Sequence, residues 1–178
     1  MKKAIILLVI LFLFSVSSFS QVKITTNVGY QKTTGDFTNS YKAGLGVSGG
    51  IEYYLQDSNV AISTEVGYNK FTTLINLFGL SPDMDILTFT GGVRDFIKSE
   101  GSKIYPYFGA KLGLMSSKIA DTGNSSVLSF IWALQAGLRF QIAQGGTSID
   151  FNIQYNNSSR NSETISFLGI NAGLAFAI

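Results

Sequence analysis

From Val22 onward, apolar and polar or small residues alternate one for one in eight separate stretches of the chain. A period of two places successive side chains on opposite faces of a β-strand and is incompatible with a helical period of 3.6. The clearest stretch sets Trp132, Leu134, Ala136, Leu138 and Phe140 against Ala133, Gln135, Gly137, Arg139 and Gln141. The others run over 22–31, 41–53, 60–69, 87–94, 106–114, 149–156 and 168–176. In the second of these eight, Tyr41 falls in phase with Leu45, Val47 and Tyr53 on the apolar face. Pro106 stands at the start of its stretch, where a strand tolerates a missing N–H. The pattern predicts an all-β fold, an eight-stranded antiparallel up-and-down barrel.

The connections between stretches also alternate. Short links near Gln56–Asn59, Lys98–Lys103 and Ala143–Thr147 interleave with longer ones near Lys32–Ser40, Asn69–Asp85, Ser116–Ser126 and Asn157–Glu163. Transmembrane barrels of bacteria have short periplasmic turns and longer extracellular loops, so both termini are expected in the periplasm.

The distribution of charge between the two faces separates a membrane barrel from a soluble, lipocalin-like one. The apolar face carries no charge except Asp95 near one end, whereas the other face is rich in glycine and holds Lys23, Glu52, Glu65, Arg94, Lys111, Arg139 and Asp150. A soluble barrel would turn those charges outward. In an eight-stranded barrel the interior has room only for side chains, so glycines such as Gly92, Gly109 and Gly137 would make space for longer neighbours. The spacing places Arg139 and Asp150 at one level of a hairpin and Glu65 near Arg94, with Glu52 able to reach across to either arginine. Glu52, Glu65, Arg94, Lys111, Arg139 and Asp150 are therefore the candidate interior ion pairs. Tyr30, Tyr41, Tyr68 and Tyr155 toward the long loops, with Tyr53 toward a short turn, fit interfacial aromatic girdles.

Upstream of the barrel, Met1-Lys2-Lys3 leads into an apolar run from Ala4 to Phe14, then into Ser15-Val16-Ser17-Ser18-Phe19-Ser20. A basic start, a short apolar middle and small residues at Ser18 and Ser20 form the layout of a cleaved signal peptide. The expected division is a signal peptide at 1–20 and a barrel domain at 21–178. Lys2 and Lys3 account for the whole excess of 13 basic over 11 acidic residues, so the barrel itself is neutral. A neutral chain without a basic cluster gives no footprint for nucleic acid.

Histidine and cysteine are both absent, which removes disulfides, thiolate nucleophiles, the usual zinc ligands and every His-dependent catalytic arrangement. No cofactor or metal is expected, and no catalytic residue. Gly44, Gly46 and Gly49 spell a dinucleotide-binding spacing, but strand alternation runs straight through them where that motif needs a strand-to-helix turn. The apolar segment Leu74, Ile75, Leu77, Phe78 and Leu80, within the loop 71–85, raises a second possibility: contact with a hydrophobic solute or lipid.

Three segments carry a family resemblance: Gly91-Gly92-Val93-Arg94, Pro106-Tyr107-Phe108-Gly109-Ala110-Lys111-Leu112-Gly113, and the stretch from Trp132 to Phe140. Through them residues 21–178 resemble the small outer-membrane β-barrel proteins of Bacteroidetes-type bacteria, PorT-like, with OmpX and the OmpA barrel as analogues. That resemblance implies an outer-membrane location and a monomer surrounded by lipid and delivered by the barrel insertion machinery. The family usually ends in an aromatic residue; this chain ends Phe176-Ala177-Ile178. It further implies a non-enzymatic structural or surface-interaction role carried by the loops, with an extracellular or periplasmic partner unspecified. Barrel hydrolases and acyltransferases of the outer membrane resemble His-dependent enzymes, which this chain cannot be.

Overall fold

A computed structural model describes residues 21–56, 58–73, 83–98, 100–119, 126–142, 146–160 and 163–178. Eight strands follow one another: β1 Val22–Thr34, β2 Tyr41–Tyr54, β3 Val60–Thr73, β4 Met84–Phe96, β5 Ile104–Ile119, β6 Val127–Gln141, β7 Ser148–Arg160 and β8 Glu163–Ala177. Each pairs antiparallel with its sequence neighbours, and β1 pairs with β8, closing the barrel. Closure leaves no unpaired edge, so every strand can satisfy its backbone inside an apolar medium. A 3₁₀ helix, Gly35–Asn39, joins β1 to β2. Gly101 and Gly146 adopt φ of 74° and 84° in the connections before β5 and β7, a left-handed backbone that glycine enters without steric cost.

The alternation resolves into an outer apolar band and an inner polar face. Leu45 is 72% exposed and Val28 62%, and Phe89, Leu112, Leu134 and Ile170 are likewise open on the outer wall. The inward positions carry buried Thr25, Asn27, Gln135, Asn152 and the charged residues. Apolar side chains on this scale have no favourable contact with water, and lipid is the solvent that suits them.

The structure departs from the sequence reading at the end opposite the termini. Asn157–Glu163, expected as a long loop, is mostly strand: β7 runs to Arg160 and β8 starts at Glu163, with those two residues paired. Asn157 Nδ2 donates to Ser166 Oγ at 2.8 Å, so polar residues continue the ladder past the apolar band, and alternation of hydrophobicity alone stops short of them. For the same reason β5 continues through Ser116 to Ile119 and β3 through Phe71 to Thr73. Tyr41 is also reassigned. The register between β2 and β3 shifts between Tyr41 and Gly44, a bulge that reverses the facing of residues beyond it, and Tyr41 is buried in the lumen instead of lying on the girdle. Tyr30, Tyr53 and Tyr68 are exposed on the outer wall.

Candidate functional site

Three layers fill the lumen. Nearest the termini is an ionic layer assembled from residues that all point inward from different strands. Glu52 on β2 is fully buried and receives Arg139 Nη1 at 2.6 Å and Nη2 at 3.1 Å, along with Arg94 Nη1. Arg139 also grips Asp150 Oδ2 through Nε at 2.9 Å and Nη2 at 2.6 Å. Such forked contacts use the guanidinium's planar donor set, which a lysine could not reproduce. Above this layer Lys111 Nζ donates to Glu65 Oε2 and to Gln154 Oε1, both at 2.9 Å, while Arg94 Nη2 lies 3.7 Å from Glu65. The six candidates of the sequence thus form one connected network spanning the lumen, with three positive and three negative charges.

Aromatic residues that the sequence reading did not single out complete the layer. The Tyr107 hydroxyl donates to Asp150 Oδ1 at 2.6 Å, and Tyr54 donates to Glu52 while accepting from Arg139. The Arg139 guanidinium lies 4.9 Å from the Phe96 ring centre, and Arg94 lies 5.3 Å from Tyr107. Glycine makes room for these groups. A Cβ on Gly137 would come within 2.6 Å of the Tyr107 ring, and one on Gly109 would meet Gln135 Nε2 at 2.9 Å. The signal that could have identified Tyr107 is its pairing with Gly137 across β5 and β6, because an inward glycine invites a large neighbour on the adjacent strand.

The middle layer is amide-rich. Gln31 Nε2 donates to Asn171 Oδ1 at 2.8 Å, Asn171 Nδ2 to Asn152 Oδ1 at 2.9 Å, and Asn152 Nδ2 to Asp150 Oδ1 at 3.1 Å, a relay that ties the walls together. A cavity of about 30 Å³ among Asn27, Asn69, Thr88 and Asn156 has room for only a few waters.

At the far end the lumen turns apolar. Tyr41, Phe71, Met84, Ile86, Met115, Ile131 and Phe167 pack together across the interior, with Phe37 of the 3₁₀ helix and Ile165 against them. Phe71 and Phe167 meet edge to face at 5.5 Å. The inner face of glycine and paired charges expected from the sequence therefore occupies part of the lumen, and this end is apolar instead. The loop expected at 71–85 is also shorter at both ends: Phe71 belongs to β3 and Met84 to β4, and both side chains pack into this cluster. Leu74, Ile75, Leu77, Phe78 and Leu80 lie outside the described residues, as does the segment 1–20. Among the described residues no group of three or more His, Cys, Asp or Glu could hold a metal ion.

An inward face of charge and glycine, an outward apolar band and a closed sheet of eight strands agree with a sequence comparison in which the outer membrane protein beta-barrel domain matches residues 5–177. The chain belongs to that family. As a member of the outer membrane beta-barrel family it crosses the outer membrane with its eight strands. Its backbone is similar to Neisserial surface protein A at 14% identity and a TM-score of 0.68, over 88% of this chain and 97% of that one. It is also similar to Ail of Yersinia pestis, at 16% identity and 0.51, over 86% and 99%. The outer membrane enzyme PagL is similar at 15% identity and 0.50, over 88% and 99%. At such identities these likenesses concern the fold. A comparison with curated protein sequences returns no match.

Proposed function

We propose that this outer-membrane barrel is a non-enzymatic, non-conducting protein whose work is done at its rims and loops, in a structural or surface-interaction role. The observation that carries this reading is the lumen's filling at two levels: an ionic network across one end and an apolar cluster across the other, with a cavity of about 30 Å³ between them among the described residues. Solute has no path through such an interior, and a side chain inside it has no access to substrate. The absence of histidine from all 178 residues removes the acid–base group of the commonest hydrolytic arrangements.

Within this reading, residues 1–20 direct export and are cleaved, both termini lie in the periplasm, and the insertion machinery delivers a monomer into lipid. The resemblance to the PorT-like barrels of Bacteroidetes-type bacteria belongs to the same proposal. The connections at 35–40, 74–83 and 120–126 then face outward from the cell, and they are where a partner would bind. Planar-bilayer recordings on the purified barrel should show no large, steady conductance. In cells, replacing 74–82 or 120–125 by glycine–serine segments should reproduce the deletion phenotype while leaving the barrel folded and at normal abundance. Porin-like conductance, or full complementation by the loop-replaced chains, would overturn the proposal.

A further inference from the structure

The ionic layer is balanced, and that balance exposes a surplus just outside it. Arg94, Lys111 and Arg139 are matched by Glu52, Glu65 and Asp150, and each of these carboxylates is already engaged by a cation within the lumen. Two further lysines stand over this layer at the end that holds the termini. Lys23 Nζ lies 5.2 Å from the centre of the Tyr54 ring, and Lys98 Nζ lies 6.0 Å from the same ring. Among the described residues neither forms an ion pair. Lys98 donates to the Ser58 carbonyl at 3.3 Å, a neutral partner. Of the acidic residues described at this end, Asp95 belongs to the outward face of β4 and Glu100 is exposed in the following turn.

These two ammonium groups border an open mouth of about 260 Å³ whose walls are Tyr54, Phe96 and Tyr105 and whose floor includes Arg139. Cation–π attraction to one ring holds each lysine in place but discharges neither. Like charges converging on one ring repel, and aromatic walls of low polarity focus the resulting positive potential into the concavity. A monoanion would leave one ammonium uncompensated, whereas a dianion answers both.

We infer that this mouth is a binding site for a dianionic oxyanion of the phosphate or sulfate type, held between Lys23 and Lys98 and entering from the aqueous side. The site is separate from the loop end, where the proposed surface role resides. Neither lysine forms an ion pair with the network among the described residues, so Lys23→Gln and Lys98→Gln are expected to leave the barrel folded.

The test uses the full barrel in nanodiscs of zwitterionic lipid, with dissolved inorganic phosphate as the probe and its ³¹P line width as the readout. Wild-type protein should broaden the line saturably at pH 8, and sulfate should displace the phosphate at lower concentration than acetate does. Lys23→Gln and Lys98→Gln should each weaken binding about fivefold, the effect of losing one partly exposed ion pair. The double variant should lose roughly 25-fold if the two add. Lys32→Gln, at the opposite rim, should change nothing. A line unaffected by wild-type protein, a double variant that binds like wild type, or acetate competing as well as sulfate would each overturn the inference. A third arm replaces part of the lipid with anionic phospholipid. If the lysines there stabilise the barrel against heat while dissolved phosphate has no effect, the ligand is a lipid headgroup and the aqueous site is refuted.

Discussion

Glu52→Ala should destabilise the barrel by about 3–5 kcal/mol, the cost of removing one partner from a buried ion pair. The figure follows from what Glu52 does. It is fully buried and accepts from Arg94, twice from Arg139 and once from Tyr54. Hydrogen bonds to charged groups contribute roughly 1.5–3 kcal/mol each, and a simple sum over four would exceed any single-residue effect. The contacts are not independent. After substitution Arg139 still holds Asp150 at 2.6 Å, and Arg94 still has Gln135 Oε1 at 3.3 Å and Glu65 at 3.7 Å. The loss therefore falls within the range for one broken pair, because a net positive charge remains buried but not isolated. Glu52→Gln keeps the volume and some acceptor capacity and should cost about half as much, which separates charge from packing. Reversible urea unfolding in lipid vesicles measures both, followed by emission of Trp132, the only tryptophan, which sits on the outer wall away from the substitution. Salt up to about 1 M should barely alter the cost, since buried pairs are weakly screened. A cost below about 1 kcal/mol for Glu52→Ala, the value of an exposed pair, would show that water solvates each charge separately and that the network is incidental.

Leu134→Arg, on the outer wall midway along β6, should cost about 2–4 kcal/mol in the same vesicles, and Leu138→Arg, nearer the end of the strand, should cost less. Equal costs would misplace the membrane midplane. Gly137→Ala should destabilise by about 1–3 kcal/mol, because the new methyl meets the Tyr107 ring at 2.6 Å and displaces a hydroxyl that serves Asp150. If Tyr107→Phe combined with Gly137→Ala costs the full sum of the two single changes, the coupling proposed between them is absent. Arg139→Ala and Asp150→Ala should couple in a double-mutant cycle, and a coupling energy of zero would remove the pair from the account of stability.

Strand identity and facing were legible wherever one face met lipid and the other met charge. Leu134 and Leu138 outward, Gln135 and Arg139 inward, need only the period of two and a closed sheet. The six network residues could be named because charge on a face of an eight-stranded lumen has few places to go. Four kinds of feature were hidden. The bulge at Tyr41/Gly44 inserts a residue without disturbing local composition, so the facing of Tyr41 could not be read from its neighbours. The apolar cluster of Phe71, Met84, Ile86, Met115, Ile131 and Phe167 puts hydrophobic side chains on the inner face, where the alternation is lost at Ile131, between Phe130 and Trp132, and is reversed in sense at Phe71 and Met84, whose outward neighbours include Lys70 and Asp85. Asn157 to Arg160 extend a strand with polar residues on both faces, the mirror of that problem. The aromatic members of the ionic layer depend on contacts across the lumen that one-dimensional periodicity does not contain.

The six charges of the network stand one to a strand on β2 through β7, and β1 and β8 contribute none. The wall is thus electrostatically sewn everywhere except at the seam where the chain's two ends meet. Among the described residues that seam is held by the backbone ladder and by the Gln31–Asn171 amide contact, with no ion pair across it. A curled sheet of the six middle strands already contains every partner that its buried charges require, and the terminal strands can join or part without stranding a charge. Exchange of amide hydrogens should accordingly be fastest along β1–β8, making this junction the hinge through which the cylinder closes last and would first come undone.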